Sequence, residues 1–133
     1  KVVVGDLEPE IARELAALWE TSDLVLVSGG LGPTEDDLTR EAAAAAFGVA
    51  LAPDAGALEQ IEARFAAMGR RLSPNNRKQA EILVGARVLD NPNGTAPGQL
   101  FERDGKACRR CRDVVSKVRM SGKTVYLCEA CQV

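Results

Sequence analysis

All four cysteines of this 133-residue chain lie near its end, as Cys108-x2-Cys111-x16-Cys128-x2-Cys131. This pattern constrains the local fold more than any apolar periodicity does. Each Cys-x2-Cys knuckle can aim two thiolates at one point. The stretch between them, Val114–Val125, can form a β-hairpin turning at Ser121-Gly122 that brings the two knuckles together. The spacing fits one tetrahedral, structural zinc ion per chain, with no open position for catalysis. The chain contains no histidine, so a zinc site must be all-cysteine. Two disulfides or free thiols are the alternative, less expected in a reducing compartment.

Charge divides the chain at the same place. Residues 1–106 hold 11 Lys/Arg and 17 Asp/Glu, a net of −6, whereas residues 107–133 hold 6 and 2, a net of +4. Two domains are expected, 1–106 and 107–133. A compact basic tail on an acidic body suggests a separate partner for the tail, such as phosphate. Solubility alone is the other explanation. Arg109, Arg110, Arg112, Lys117, Arg119 and Lys123 would give a weak, salt-sensitive, sequence-independent attraction to DNA, which the acidic body opposes. No apolar run approaches the roughly 20 residues of a membrane span, and no secretory signal is visible. The expectation is a cytoplasmic protein with no membrane partner.

Alternation of strand and helix patterns predicts an α/β layered fold, a mostly parallel sheet with helices. Lys1–Gly5 reads as the end of a strand, and Asp6 as the N-cap of a helix through about Glu20 with Leu7, Ile11, Leu15 and Leu18 on one face. Asp23–Ser28 has the continuous apolar pattern of a buried parallel strand. Thr39–Phe47 is helical and stops at Gly48. A further helix is capped by Asp54 and stops at Gly69. A short helix around Asn76–Ala80, a strand at Ala86–Leu89, a loop over Asn91–Gly98 and a hairpin arm from Leu100 to Arg103, turning at Asp104-Gly105, complete the body. An apolar content of 46% with only 4% aromatics implies a core of Ala, Leu and Val.

The buried strand runs directly into Gly29-Gly30-Leu31-Gly32. Glycines there allow positive φ and close backbone approach, so that several N–H groups can point at one anion. Asp36 and Asp37 follow just before the next helix. They could hold a divalent cation such as Mg²⁺ or fix a ligand's polar groups. A glycine-rich turn with capping acids and no ligand is the simpler alternative.

The string Ser28-Gly-Gly-Leu-Gly-Pro-Thr-Glu-Asp-Asp-Leu-Thr39 resembles the molybdopterin-binding-like domain, in particular the amino-terminal domain of the CinA family. The resemblance continues through Asn75-Asn-Arg-Lys-Gln-Ala80 and Asn91-Pro-Asn-Gly-Thr-Ala-Pro-Gly98 and covers residues 1 to about 106. It implies that Asp6 and Asp37 lie at a pterin-nucleotide site, and that Gly29, Gly30 and Gly32 cradle phosphate. It also implies metal-dependent cleavage of ADP-ribose, the chain's one enzymatic candidate. A starting strand, loop and helix usual in that family, and a later Pro-Gly-Pro loop, have no counterpart here. A truncated version of the fold, with little or no catalysis, is therefore expected. Its uncovered apolar face would be met by self-association, as a homodimer or by strand exchange.

Ala107–Cys111 together with Thr124–Gln132 resembles the carboxyl-terminal zinc finger of formamidopyrimidine-DNA glycosylases, in the 16-residue gap and the closing Cys-x2-Cys-Gln. There the hairpin enters the minor groove and an arginine near its tip holds phosphate. Lys123 stands at that position, and Arg112 replaces a knuckle glycine. The catalytic residues of those enzymes have no counterpart, so no glycosylase activity is expected.

Asp104-Gly105-Lys106 suits both families. A join there, with no initiator Met, reads as a chimera, engineered or selected, or as a natural genome rearrangement. The leading expectation is a zinc-binding chimera without evolved catalysis. Nucleotide binding with ADP-ribose cleavage, and weak DNA binding through the finger, are the alternatives.

Overall fold

The computed structural model describes residues 1–133 apart from 23, 103, 104, 106, 109, 121, 122 and 133; of residues 120, 123–126 and 132 it describes the backbone alone. The chain divides into two compact units, Lys1–Leu100 and Phe101–Val133.

The first unit contains α1 (Glu8–Thr21), α2 (Thr39–Phe47), β1 (Leu51–Pro53), α3 (Ala55–Ala67), a 3₁₀ helix (Pro74–Ala80), β2 (Glu81–Leu83), β3 (Arg87–Leu89) and β4 (Gly98–Leu100). Helix α1 starts one residue later than expected. Leu7 is its cap residue, and no side chain caps it, so Asp6 does not take that role. The other helix signals act as their chemistry dictates. Asp54 caps α3, its carboxylate accepting from the Ala57 N–H at 2.7 Å. Gly48 ends α2 at φ 64°, where a Cβ would be strained. Helices α1 and α2 pack together, with the Trp19 and Phe47 rings 4.7 Å apart and Leu15, Ala42 and Ala43 buried. A second core gathers Ala57 and Ile61 of α3 against Ala80 and Ile82, with Leu58, Phe65, Leu72 and Val88 around it.

The mostly parallel sheet does not form among the described residues. Every strand pair is antiparallel: β1 with β2 and β3 with β4 in this unit. Residues flanking the β1–β2 pair continue its ladder, Asp54 N–H donating to Ala80 O and Val84 N–H to Ala50 O. Alternation turns Glu81 and Leu83 to the other side. There the Gln99 amide takes the place of a neighbouring strand, accepting from Leu83 N–H at 2.9 Å and donating to Glu81 O at 3.1 Å.

Residues 1–4 and 24–28, read as parallel strands, make no backbone hydrogen bond among the described residues. The physical reason lies in the connection. A parallel pair requires its crossover helix to lay the two strands side by side, whereas α1 packs on α2 and the segments it joins stay unpaired. Val3, Leu24 and Leu26 are consequently 85%, 69% and 86% exposed, a surface that water opposes.

The second unit contains β5 (Val115–Met120), β6 (Lys123–Cys128) and α4 (Glu129–Gln132). The two strands pair antiparallel from Val115↔Cys128 to Met120↔Lys123. This is the hairpin expected between the knuckles; its turn residues Ser121 and Gly122 lie outside the described residues, as do Asp104 and Lys106 at the compositional seam. Among the described residues no helix is long and apolar enough to cross a membrane.

Self-association of the open apolar segments predicts that sedimentation will show a mass above 14.2 kDa as concentration rises, reduced by Val3→Ser with Leu26→Ser. A monomer at all concentrations would remove the expectation.

Candidate functional sites

Two arrangements carry chemistry, one in each unit. In the first, the loop after Val27 is held by its carbonyls. Thr39 Oγ1 donates to Gly29 O at 2.8 Å, and the Thr39 N–H to Gly30 O at 3.1 Å. Arg40 then donates from its two terminal nitrogens to Leu31 O at 2.5 Å and Gly32 O at 2.8 Å. Lys78, from the 3₁₀ helix, donates to Thr34 O at 3.3 Å and Asp37 O at 3.0 Å, and pairs with Glu41 at 3.0 Å. Arg40 is 2% exposed, and desolvation lowers its pKa from the ordinary arginine value.

A trans peptide directs its N–H opposite to its C=O. With the carbonyls of Gly29, Gly30 and Leu31 turned toward α2, the amides of Gly30, Leu31 and Gly32 face away from it. The Gly32 N–H faces the Asp37 carboxylate, and no acceptor takes those of Gly30 and Leu31 among the described residues. Gly29 and Gly30 have φ of 95° and 62°, and a Cβ on Gly30 would overlap Thr39. Glycine is required there by both conformation and space.

Asp37 closes the loop. Its carboxylate accepts from Thr34 Oγ1 at 2.5 Å and Thr34 N–H at 2.9 Å. The hydroxyl bond chiefly, then the backbone bond, holds its pKa below the usual 3.8. Asp36 is exposed, and no hydrogen bond or ion pair ties Asp6 to the loop among the described residues. The acids therefore do not converge on a cation; Asp37 spends one oxygen on Thr34.

The second arrangement is the cysteine cluster. Cys108 and Cys111 lie on one knuckle, Cys128 ends β6 and Cys131 sits on α4, and their four Sγ atoms all fall within 4.8 Å of one another. The closest approaches are Cys111–Cys128 at 3.3 Å and Cys108–Cys131 at 3.6 Å, and none is in a disulfide. Four sulfurs at about 2.3 Å from a tetrahedral ion are about 3.8 Å apart. The four thiols could therefore hold one metal ion. Among the described residues no other group of three or more Cys, Asp or Glu side chains could do so.

The knuckle geometry explains part of this. The Arg112 N–H donates to Cys108 O at 2.9 Å, and Arg112 adopts φ 68°, the left-handed turn that a glycine would take without strain. Backbone N–H groups of Cys111 and then Arg110 face the Cys108 sulfur and lower its pKa to about 6. The hydrogen bond to Cys108 pushes Cys131 up to about 12. Desolvation raises Cys128, which is wholly buried. Of the nucleic-acid candidates, Arg110, Arg112, Lys117 and Arg119 are exposed, but Lys117 is paired with Glu102 at 3.3 Å. Arg109 lies outside the described residues and the Lys123 side chain is undescribed.

Together these features define a mixed helix-and-sheet domain with a glycine-rich loop, followed by a four-thiol cluster. The chain matches the family described as "Probable molybdopterin binding domain" over residues 1–125, and it belongs to that family. The matched span runs through the compositional seam. Curated relatives include a "Putative competence-damage inducible protein" of Moorella thermoacetica, 51% identical over 106 residues, which are 80% of this chain and 26% of the relative. A protein of the same description from Symbiobacterium thermophilum is 50% identical over 105 residues, 79% of this chain and 25% of the relative. The chain thus spans about a quarter of these relatives' length. The crystal structure of "the protein CinA with unknown function from Thermoplasma acidophilum" superposes with a TM-score of 0.64 at 35% identity, covering 91% of this chain and 60% of that one.

The Thr34–Asp37 bonds set a pH dependence. A depressed folded-state pKa contributes stability above the unfolded value, and that contribution disappears as pH falls through the folded value. Wild type should therefore unfold at higher urea than Asp37→Asn at neutral pH. The difference should shrink as pH drops below about 3.8. An unchanged difference at low pH would count against it.

Proposed function

We propose that the chain is a zinc-binding protein in which the metal is structural, holding together a small cysteine module that resembles a glycosylase finger and follows a CinA-type body, the two joined as a chimera. The single observation that carries the zinc reading is the composition of the second unit's core. Its buried apolar cluster is Cys108, Val115 and Cys128, with Cys131 packed against it. A unit confined to residues 101–133 is below the roughly 40 residues that can usually fold on apolar burial alone. Thiolates around an ion supply what aliphatic side chains do not, because metal binding free energy becomes folding free energy. All-sulfur ligation suits zinc, and four protein ligands leave no position for a substrate.

Elemental analysis of the purified chain is expected to give about one zinc per chain. Stripping the metal, or Cys128→Ser, should unfold residues 101–133 to proteolysis while 1–100 stay protected. Less than one zinc per chain, with all four thiols reactive, would sink this reading.

A second reading is favoured by the outward amides of Gly30 and Leu31. The loop fits an anion such as the phosphate of a nucleotide, as the family description suggests for its pterin ligand. ADP-ribose cleavage with Mg²⁺ would be a remnant of this site, and Asp37→Ala would abolish it. No AMP released from ADP-ribose by the wild-type chain with Mg²⁺ would remove the catalytic part and leave binding alone. Weak DNA attraction through Arg110 and Arg119 remains subordinate to the acidic body.

A further inference from the structure

We propose that Cys111 is a peroxide-reactive thiol with Cys128 as its resolving partner, and that oxidation replaces the metal by two disulfides crossing between the knuckles, Cys111–Cys128 and Cys108–Cys131. The proposal takes the zinc-bound module as its resting state and rests on that reading for the metal, though not for the pairing of the thiols.

The hairpin dictates which sulfurs meet. Its ladder sets Val115 opposite Cys128, and a bridge between Ala107 and Val114 folds the first knuckle back against the start of β5. The Cys108 N–H donates to Asp113 O and the Arg112 N–H to Cys108 O, closing the turn that carries Cys111. Cys128 ends β6, and Cys131 lies on α4 immediately after it. Both knuckles are thereby held at the same end of the hairpin. The shortest sulfur–sulfur approaches cross from one to the other, 3.3 Å for Cys111–Cys128 and 3.6 Å for Cys108–Cys131. Access differs within the first pair. Cys111 is exposed and stands between exposed Arg110 and Arg112, whereas Cys128 is wholly buried. An accessible thiolate in a basic setting, beside a buried second thiol, is the arrangement that oxidation favours.

The chemistry balances with hydrogen peroxide as the oxidant. The Cys111 thiolate attacks one peroxide oxygen; an S–O bond forms, the O–O bond breaks and hydroxide leaves. The Cys128 thiolate then attacks the Cys111 sulfur, forming the S–S bond and expelling a second hydroxide. Protons from solvent convert both hydroxides to water, so the electron pair lost by the two thiolates is the pair gained by the peroxide. A disulfide sulfur is no longer a thiolate ligand. With half of its donors gone the site loses its ion, and Cys108 and Cys131 follow by the same steps with a second peroxide. Each bond spans the two knuckles, so the module stays closed after its metal leaves. Disulfides within each Cys-x2-Cys knuckle would instead let the knuckles part.

The test oxidises the zinc-loaded full chain with hydrogen peroxide, follows zinc with a chromogenic chelator and maps disulfides by mass spectrometry. Trypsin cleaves after Arg109 and Arg110 and a glutamate-specific protease after Glu129, so digestion of the denatured chain separates all four cysteines. About one equivalent of peroxide is expected to yield the Cys111–Cys128 cross-link ahead of Cys108–Cys131, and about two equivalents to complete both with loss of the zinc. The oxidised, metal-free module should survive native proteolysis about tenfold longer than the reduced, chelated one. Cross-links within the knuckles, Cys108 to Cys111 or Cys128 to Cys131, would overturn the proposal and leave the zinc reading standing, as would Cys111 sulfinic acid with Cys128 still reduced. Crossed disulfides in a chain purified without zinc would keep the pairing and remove the zinc reading.

Discussion

A backbone segment that cannot pair with a neighbouring strand must find its donors elsewhere, and the loop after Val27 finds them on side chains. Thr39, Arg40 and Lys78 satisfy the carbonyls of residues 29–32, 34 and 37 in turn. Through those bonds α2 and the 3₁₀ helix, distant in sequence, become two walls of one arrangement. The glycines supply the conformations and the cations supply the order. Neither alone would give a loop with its amides outward, because glycine without anchors is too flexible and anchors without glycine have no room.

The two units reach stability by different routes. In the first, Ile61, Ala57 and Ile82 form an aliphatic core under a capped helix. In the second, sulfur takes the place of aliphatic carbon, and the hairpin serves mainly to carry one knuckle to the other. Perturbations should therefore act separately: denaturants on the first through its apolar area, chelators on the second through its ligands.

Much of the local structure was legible in the sequence because its causes are local. Asp54, Gly48 and Gly69 mark helix ends through side-chain and φ chemistry that needs no partner, and the Cys-x2-Cys spacings reach their cluster through a hairpin of fixed length. What could not be read depends on distant pairing. The apolar run from Leu24 to Val27 has a buried strand's pattern, but burial requires a ladder that another segment must provide. Strands β1 and β2 are only three residues each, too short for periodicity to reveal. Arg40 and Lys78 were equally hidden. A cation after a capping threonine and a lysine in Asn-Arg-Lys-Gln look like solvated charges until the loop carbonyls are seen above them. The one signal available was an Asn-Arg-Lys-Gln-Ala string that the family resemblance included without a role.

The β1–β2 pair has a further consequence. On one side, Gln99 occupies the outward groups of Glu81 and Leu83; on the other, Pro53 sits at an outward position of β1 and has no N–H to offer. This small sheet is therefore covered on one border and lacks one donor on the other, which makes it a poor template on which further chains could stack. A tendency to assemble is therefore expected more from the exposed Val3, Leu24 and Leu26 than from this sheet.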